Sequence, residues 1–212
     1  MMHIMRKSTR RDELKRQSLD RILDAASRRL RQEGLGGAAI VPTMRDAGLT
    51  HGAFYSHFRT KGDLAVAAFA HSFTTGRPHW IKPMGKQPWS SRLKSLAVRY
   101  LTSAHRDNLS TSCAFAALCS DAAHASPGFR AAYERELRTS LAAICDDAEP
   151  DRRRLDDAIA LMAICVGGMS LARAVHDNDF SARILRVARE TAGKVAGPDA
   201  GLDTEAKPAS TR

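Results

Sequence analysis

The chain has 212 residues and a formal net charge of +10 at pH 7, which points to an anionic partner, either nucleic acid or a membrane surface. No run of about eighteen apolar residues occurs and no apolar stretch follows the basic N-terminus, so neither a membrane span nor a signal peptide is expected. The four cysteines, Cys113, Cys119, Cys145 and Cys165, are scattered. This spacing argues against a zinc site or a disulfide framework and predicts a reducing, cytoplasmic location. No metal or cofactor is expected.

The first third of the chain carries helical patterns. Residues 1–15 are basic and polar and are predicted to form a flexible arm that continues into the first helix. Apolar residues recur at helical spacing from Leu19 to Leu30, and Gly34 ends that pattern. Further helices are predicted over residues 42–48, 50–58 and from 60 onward, with Pro42 at the first position of its helix.

The remainder is also helical by pattern. Residues 74–89 contain three prolines and two glycines and are predicted to be a break that no helix crosses. Helical patterns then occupy residues 90–104, 112–119, 127–144, 155–175 and 184–192, and Ser126 and Pro127 are predicted to start the third of these. Residues 194–212 are predicted to be a disordered tail. The predicted fold is all-α, with a small N-terminal domain over residues 16–76 and a larger helical domain over residues 77–193.

Residues 40–58 have the pattern of a helix-turn-helix. Gly48 lies between two short helices, where glycine takes a left-handed turn conformation without steric cost. Thr50 is predicted to cap the next helix through its hydroxyl group. Phe54 and Phe58 give that helix an apolar side, and the opposite side forms a narrow polar ridge suited to a major groove. The polar ridge consists of His51, Gly52, Tyr55, Ser56 and His57.

The block G-L-T-H-G-A-F-Y-S-H-F-R-T-K-G-D-L resembles the recognition-helix signature of the TetR family of transcriptional regulators, and the match extends over residues 16–76. The resemblance implies a three-helix DNA-binding domain followed by a helical dimerisation and ligand-binding domain. It places Thr50, His51, Gly52 and Ala53 nearest base edges. It also implies phosphate contacts for Tyr55, His57 and Lys61, the last at the N-terminus of the fourth helix. Arg45 and Ser56 are further candidates for DNA contact.

The sequence departs from the family pattern at two places. Pro42 and Thr43 stand where the family more often has a polar residue followed by Leu or Ile. Gly62 replaces an acidic residue in the first turn of the fourth helix, where Thr60 and Asp63 are still expected to form a capping box. Charge agrees with DNA binding, because residues 1–64 contain thirteen Lys or Arg and seven Asp or Glu.

A single reading module covers few base pairs, so a homodimer on a palindromic operator is expected. Small residues along the long helix near Met162 predict a groove for close helix contact, and the resemblance places the last two helices in the dimer interface. Gly167 and Gly168 inside a helix require a compensating contact, either in that interface or within one chain. The candidate interface residues are Ala163, Gly167, Ser170, Ala174, Ile184 and Ala188.

A ligand pocket is expected among the later helices, with ordinary core packing as the alternative for each residue. The candidates are Phe69, Phe73, Trp80, Trp89, Tyr100, His105, Cys113, Phe115, Met162 and Cys165. Cys113 precedes a helix and is either a thiol sensor or an inert buried cysteine.

The predicted function is a homodimeric, DNA-binding transcriptional repressor that a small-molecule effector releases from its operator. A ligand-dependent activator, a basic architectural binder and a helical enzyme are the alternatives. The enzyme is disfavoured because Gly168-Met169-Ser170 has no preceding strand and Ala172 stands where a nucleophile elbow needs glycine.

Overall fold

The computed structural model describes residues 9–82 and 87–195, and within these ranges it contains helices, turns and loops but no β-strand. The prediction of an all-α fold is confirmed. The helices are α1 (Arg10–Glu33), α2 (Ile40–Asp46), α3 (His51–Phe54), α4 (Lys61–Trp80), α5 (Trp89–Tyr100), α6 (Ser103–Asp107), α7 (Ala114–Ala123), α8 (Pro127–Cys145), α9 (Arg152–Ala174) and α10 (Asn178–Ala192). Most of the predicted tail and the first eight residues of the predicted arm lie outside the described residues.

Helix α1 begins earlier than the sequence pattern predicts. The Asp12 backbone N–H donates to the Thr9 hydroxyl at 3.3 Å, and the Thr9 backbone N–H donates to the Asp12 carboxylate at 3.2 Å. This reciprocal capping box satisfies two backbone donors at the start of the helix. Residues 10–15, predicted as part of a flexible arm, are therefore helical.

The helix-turn-helix is present, with shorter helices than predicted. Gly48 has a φ of 63°, so the prediction of a left-handed glycine in the turn is confirmed. Helix α2 starts at Ile40, two residues before the predicted start at Pro42. Pro42 therefore lies within the first turn of the helix, where its missing N–H is tolerated. The α-helical part of α3 ends at Phe54 and continues as a turn, because the N–H groups of His57 and Phe58 both donate to the Phe54 carbonyl, at 2.9 and 3.0 Å.

The predicted side-chain cap on α3 is wrong. Thr50 occupies the N-cap position, but its hydroxyl makes no capping hydrogen bond. Its carbonyl instead accepts from the Ala53 N–H at 3.1 Å. Helix α4, by contrast, has the predicted capping box, in which Asp63 N–H donates to the Thr60 hydroxyl and Thr60 N–H donates to the Asp63 carboxylate.

Helix α4 crosses much of the segment predicted to be a break. It continues to Trp80 with Pro78 inside it, although proline removes one helical hydrogen bond. Contacts with other helices hold this end in place: Arg77 donates to the Glu136 carboxylate at 2.7 Å, and the Trp80 indole donates to the Leu96 carbonyl at 3.0 Å. These tertiary contacts therefore outweigh the tendency of Pro78 to end a helix, and α4 ends only at Trp80.

The later helices follow the predicted order with one division. The pattern predicted over residues 90–104 separates into α5 and α6, because Thr102 accepts from the His105 N–H at 3.1 Å and starts a new helix. Ser126 and Pro127 begin α8 as predicted, with the Phe129 N–H donating to the Ser126 hydroxyl.

Helix α9 is the central helix of the larger helical part and packs against α5, α7, α8 and α10. It has the length of a helix that could cross a membrane, and an 18-residue window within it has a mean hydropathy of 1.6, whereas the sequence pattern predicted no such helix. Its buried members include Leu161, Cys165 and Met169. The central helix of a helical protein is also long and apolar, because it is buried among several neighbouring helices. The length and composition of α9 are therefore weak evidence for a membrane span.

Candidate nucleic-acid interface and ligand cavity

The polar ridge is fixed from below by aromatic packing. Phe54 is fully buried and Phe58 is 8% exposed, and their ring centroids lie 5.7 Å apart. Tyr55, between them in the sequence, is 62% exposed. One turn of helix thus directs two rings into the core and one ring outward.

Most predicted DNA-contact residues are exposed on the same short region. The exposed ones are Arg45, Thr50, His51, Gly52, Tyr55, Ser56 and Lys61. Ala53 is half-buried against the core. The Ser56 hydroxyl donates to the Ala53 carbonyl at 2.7 Å, so its donor is used within the turn.

His57 differs from the other members of the polar ridge. It is half-buried, and its Nε2 lies 2.8 Å from the Ser18 hydroxyl of α1. Burial, with a smaller contribution from Lys15, lowers the pKa of its imidazole. The lowered pKa favours the neutral ring, and its contact with Ser18 connects the turn after α3 to α1.

Arginines on α1 hold the helix-turn-helix in position, and sequence reasoning did not single them out. Arg21 donates to the Gly48 carbonyl at 3.0 Å. Arg29 donates to the Gly37 carbonyl and the Asp46 carboxylate, each at 3.0 Å. The sequence around these two arginines does not indicate their hydrogen-bond partners, because the packing of α1 on α2 and the adjoining turns determines which groups they reach.

Two cations lie beside the polar ridge without a carboxylate partner. Arg59 and Lys61 are exposed, and neither makes an ion pair with any residue in the described parts of the chain. Lys61 is the first residue of α4, where the positive end of the helix dipole adds to its charge. This corner of the molecule is electrostatically suited to a phosphate group.

A cavity of about 530 Å³ lies where α4 and α5 end and α7 begins. Among the predicted pocket residues it is lined by Phe73, Trp80, Tyr100, His105, Cys113 and Phe115. The other predicted ones do not line it. Phe69 is fully buried in an aromatic cluster with Phe73 and Tyr133, Met162 and Cys165 lie in the core, and Trp89 donates to the Asp157 carboxylate at 2.8 Å.

His105 shapes one wall of the cavity. Its Nδ1 lies 2.7 Å from the Tyr100 carbonyl, and its Nε2 accepts from the Cys113 N–H at 3.0 Å. These partners require the proton on Nδ1, so the ring is neutral. Burial lowers the pKa of His105, against the smaller opposite effect of the Tyr100 carbonyl. Cys113 itself is half-buried at the cavity wall.

Arg77 and Arg99 also line the cavity, and sequence reasoning missed both. The predicted break at residues 74–89 placed Arg77 in a loop, whereas α4 carries it to the cavity. Arg99 lies on α5 and donates to the Trp80 carbonyl. A cation on a helix is usually solvated, so neither position gave a local signal.

The candidate dimer residues divide into two groups. Ala163 and Ala174 are exposed, and no atom outside its own helix lies within 4 Å of a Cβ placed on Gly167. In contrast, Ser170 donates to the Ala116 carbonyl, and Ala188 lies against Gly168. Ile184 is half-buried. Larger apolar side chains are also exposed on α9 and α10, namely Ile159, Leu171, Phe180 and Val187.

The described residues thus form a helix-turn-helix packed on a larger all-helical part that contains a cavity. No family model matches this sequence, and no curated protein matches it. Solved structures do share the fold. A TetR-family transcriptional regulator from Cytophaga hutchinsonii has a TM-score of 0.61 at 16% identity, over 88% of this chain and 96% of that one.

Two further structures agree. A TetR-family regulator from Agrobacterium tumefaciens has a TM-score of 0.60 at 20% identity, over 84% of this chain and 98% of that one. A TetR-family regulator from Streptomyces coelicolor has a TM-score of 0.56 at 19% identity, over 93% of this chain and 92% of that one. The chain has the fold of the TetR-family regulators, and that expectation from the sequence is confirmed.

Proposed function

We propose that this protein is a DNA-binding transcriptional regulator of the TetR type that acts in the cytoplasm and is not an enzyme. The observation that carries the proposal is the polar ridge, four of whose five residues are exposed on α3 and the turn after it, while Phe54 and Phe58 of the same segment are buried. DNA readers present small or flat polar groups to the groove from a rigidly held helix. Residues 16–76 would form the DNA-binding domain and residues 77–193 the ligand-binding and dimerisation domain.

Each exposed position has a role in this proposal. Thr50, His51 and Gly52 lie at the start of α3 and would approach base edges, with Ala53 beside them. Tyr55 and Lys61 would contact phosphates, and Ser56 and Arg45 lie at the edges of the same surface. His57 would position α3 through Ser18 and reach a phosphate only with the side of its ring that remains exposed.

Dimerisation would use the exposed apolar surface of α9 and α10. The surface of α9 is shallow where its side chains are small, at Ala163, Gly167 and Ala174. Leu171, on the same helix, is 60% exposed. A two-fold contact between such surfaces buries the same residues on both copies. The resulting pair of polar ridges would meet two half-sites of a palindromic operator, about 34 Å apart.

Repression relieved by a small molecule is the proposed mode of action, and two contacts support a connection from the cavity to the DNA-binding part. Arg31 of α1 donates to the Ser110 carbonyl at 2.7 Å, next to Thr111 and Ser112 in the cavity wall. The Leu35 N–H, just after α1, donates to the Asp121 carboxylate of α7 at 2.7 Å. A ligand that displaces this wall would therefore move α1 and shift the dimer away from its operator-binding arrangement.

The position of Gly168-Met169-Ser170 argues against an esterase-like enzyme. These residues lie within α9, and Ser170 donates to a backbone carbonyl. A nucleophile elbow requires a sharp turn between strand and helix. The described residues also contain no group of His, Cys, Asp or Glu arranged to hold a metal ion.

The test is DNA binding by a Tyr55→Ala/Lys61→Ala double variant. Footprinting of the region upstream of the gene, with excess competitor DNA, should show a protected palindrome for the unmodified protein. The double variant should bind at least about tenfold more weakly because two phosphate contacts are lost. Arg130→Ala, which removes one exposed positive charge from α8, is the matched control and should bind normally.

Circular dichroism must show that the double variant is folded. Unchanged binding by a folded double variant would contradict the regulator proposal. Binding that competitor DNA abolishes at every site would instead favour the architectural binder.

A further inference from the structure

The cavity is walled by aromatic rings in two close pairs. The Phe73 and Phe115 centroids are 4.4 Å apart, and those of Trp80 and Tyr100 are 5.0 Å apart. Rings of this kind favour a flat apolar ligand, which can stack on their faces or meet their edges. A volume of about 530 Å³ is within the usual range for small-molecule sites.

The charged side chains of the cavity wall are all basic. Arg77 and Arg99 line it, and no Asp or Glu among residues 9–82 and 87–195 does. The charge of Arg77 is matched by Glu136, whose carboxylate lies 2.7 Å from it on the side of α8. Arg99 contacts the Trp80 carbonyl, and none of the ion pairs in residues 9–82 and 87–195 involves it. The half-buried Arg99 therefore leaves the wall with an uncompensated positive charge.

An unpaired polar group lies in the same wall. Tyr100 is 2% exposed, and its buried hydroxyl has no hydrogen-bond partner within the described ranges of the chain. The Cys113 thiol is close to it without forming a hydrogen bond of ordinary geometry. Burial raises the pKa of Tyr100 well above its usual value, so the hydroxyl remains a neutral donor. A buried donor without a partner is rare in folded proteins, and it suits a ligand that brings an oxygen atom.

We propose that this cavity binds an aryl carboxylate, with its ring among Phe73, Trp80 and Phe115 and its carboxylate at Arg99. The Tyr100 hydroxyl would supply a further hydrogen bond to a ligand oxygen. An organic cation is disfavoured because the described part of the chain places no carboxylate in the cavity wall, and a neutral ligand would leave the charge of Arg99 uncompensated. This inference deepens the proposed function, since the aryl carboxylate would be the effector that releases DNA.

The experiment is titration calorimetry with matched ligand pairs and no DNA present. Benzoate, 2-naphthoate and 4-biphenylcarboxylate are each compared with the corresponding neutral amide. At least one carboxylate should bind about tenfold or more tightly than its amide, because a charge-assisted hydrogen bond is lost in the amide.

The Arg99→Met variant gives the residue-level test. It should weaken binding of that carboxylate by about tenfold or more and leave amide binding unchanged. Arg130→Met, which removes an arginine that does not line the cavity, should bind the carboxylate normally. Equal affinities for acid and amide, no binding of any pair, or unchanged affinity in a folded Arg99→Met protein would each overturn the proposal.

Failure here is separable from failure of the proposed function. The Tyr55→Ala/Lys61→Ala variant should still bind the carboxylate, because the polar ridge does not line the cavity. Absence of specific DNA binding by the unmodified protein would contradict the regulator proposal and leave the calorimetry unaffected.

Discussion

His105 is the residue on which the local structure of the cavity wall most depends. It links α6 to α7 by accepting from the Cys113 N–H while its other nitrogen bonds the Tyr100 carbonyl. A second proton would have to go on Nε2, which would then face a donor N–H and lose that hydrogen bond. The geometry and the lowered pKa therefore agree on a neutral ring.

This arrangement predicts a loss of stability in mild acid. Below the ordinary histidine pKa of 6.5 the unfolded chain binds a proton at this position more readily than the folded chain does. The contribution of His105 to the free energy of unfolding is therefore complete above pH 6.5 and is lost as the pH falls from 6.5 through the lowered pKa. Urea unfolding at pH 7.5 and pH 5.5 measures this loss.

A His105→Asn variant should lose less stability between those two pH values than the unmodified protein. His124→Gln, which removes an exposed imidazole, is the matched control and should lose as much as the unmodified protein does. An identical pH dependence in the His105→Asn and unmodified proteins would show that the ring is not held neutral.

At the scale of helices, α9 and α10 approach closely at one glycine. A Cβ placed on Gly168 would lie 2.8 Å from the Ala188 Cβ and 3.4 Å from Leu101 Cδ2. The neighbouring Gly167 has no such contact. The compensating reason for Gly168 is thus packing within one chain, while Gly167 remains available for a contact between chains.

Substitution of these two glycines should have opposite effects. Gly168→Ala should lower the free energy of unfolding by about 1–3 kcal/mol, because the added methyl group overpacks the α9–α10 contact. Gly167→Ala should raise the free energy of unfolding of the monomer by up to about 1 kcal/mol through helix propensity, because the added methyl group meets no atom of the described chain outside its own helix within 4 Å. Urea unfolding of the two variants measures the difference.

The double variant Gly168→Ala/Ala188→Gly restores the space and supplies the control. It should recover part of the stability lost in Gly168→Ala, less the cost of a new glycine in α10. Equal stability of the two single glycine variants would refute the close approach.

For the molecule as a whole, the exposed apolar surface of α9 and α10 is the feature that a monomer leaves unexplained. Leu171 and Phe180 are 60% and 52% exposed. Apolar groups gathered on one surface commonly mark a protein contact. This surface also includes the exposed side of α9, whose opposite side is in the core.

Leu171→Glu should therefore dissociate the proposed dimer. A carboxylate buried at a two-fold contact is uncompensated on both copies, so the dimer dissociation constant should rise by more than about a hundredfold. Sedimentation equilibrium measures the change, and operator affinity should fall with it. Val98→Glu, at a site 51% exposed on α5, is the control and should remain dimeric. A monomeric unmodified protein, or a dimeric Leu171→Glu protein, would contradict this interface.

Features that depend on residues a few positions apart could be predicted from the amino-acid sequence. Helical periodicity, the left-handed Gly48 turn, the Thr60–Asp63 capping box and the Ser126–Pro127 start all depend on neighbours within a few positions, where local sterics and hydrogen bonds decide. The alternation of Phe54, Tyr55 and Phe58 likewise set which side of α3 is buried. The fold and the polar ridge were predictable for this reason.

Features that depend on partners far apart in the sequence became visible in the packing of the helices. Helix α4 passes through Pro78 because Glu136, Leu96 and Arg99 hold its end, and that same continuation brings Arg77 to the cavity. The packing of the helices leaves Arg99 without a carboxylate partner within the described residues and favours neutral rings at His57 and His105. It also gives Gly167 and Gly168 different neighbours. The burial of a side chain and its hydrogen-bond partners depend on packing between segments far apart in the sequence, so local sequence patterns do not predict them.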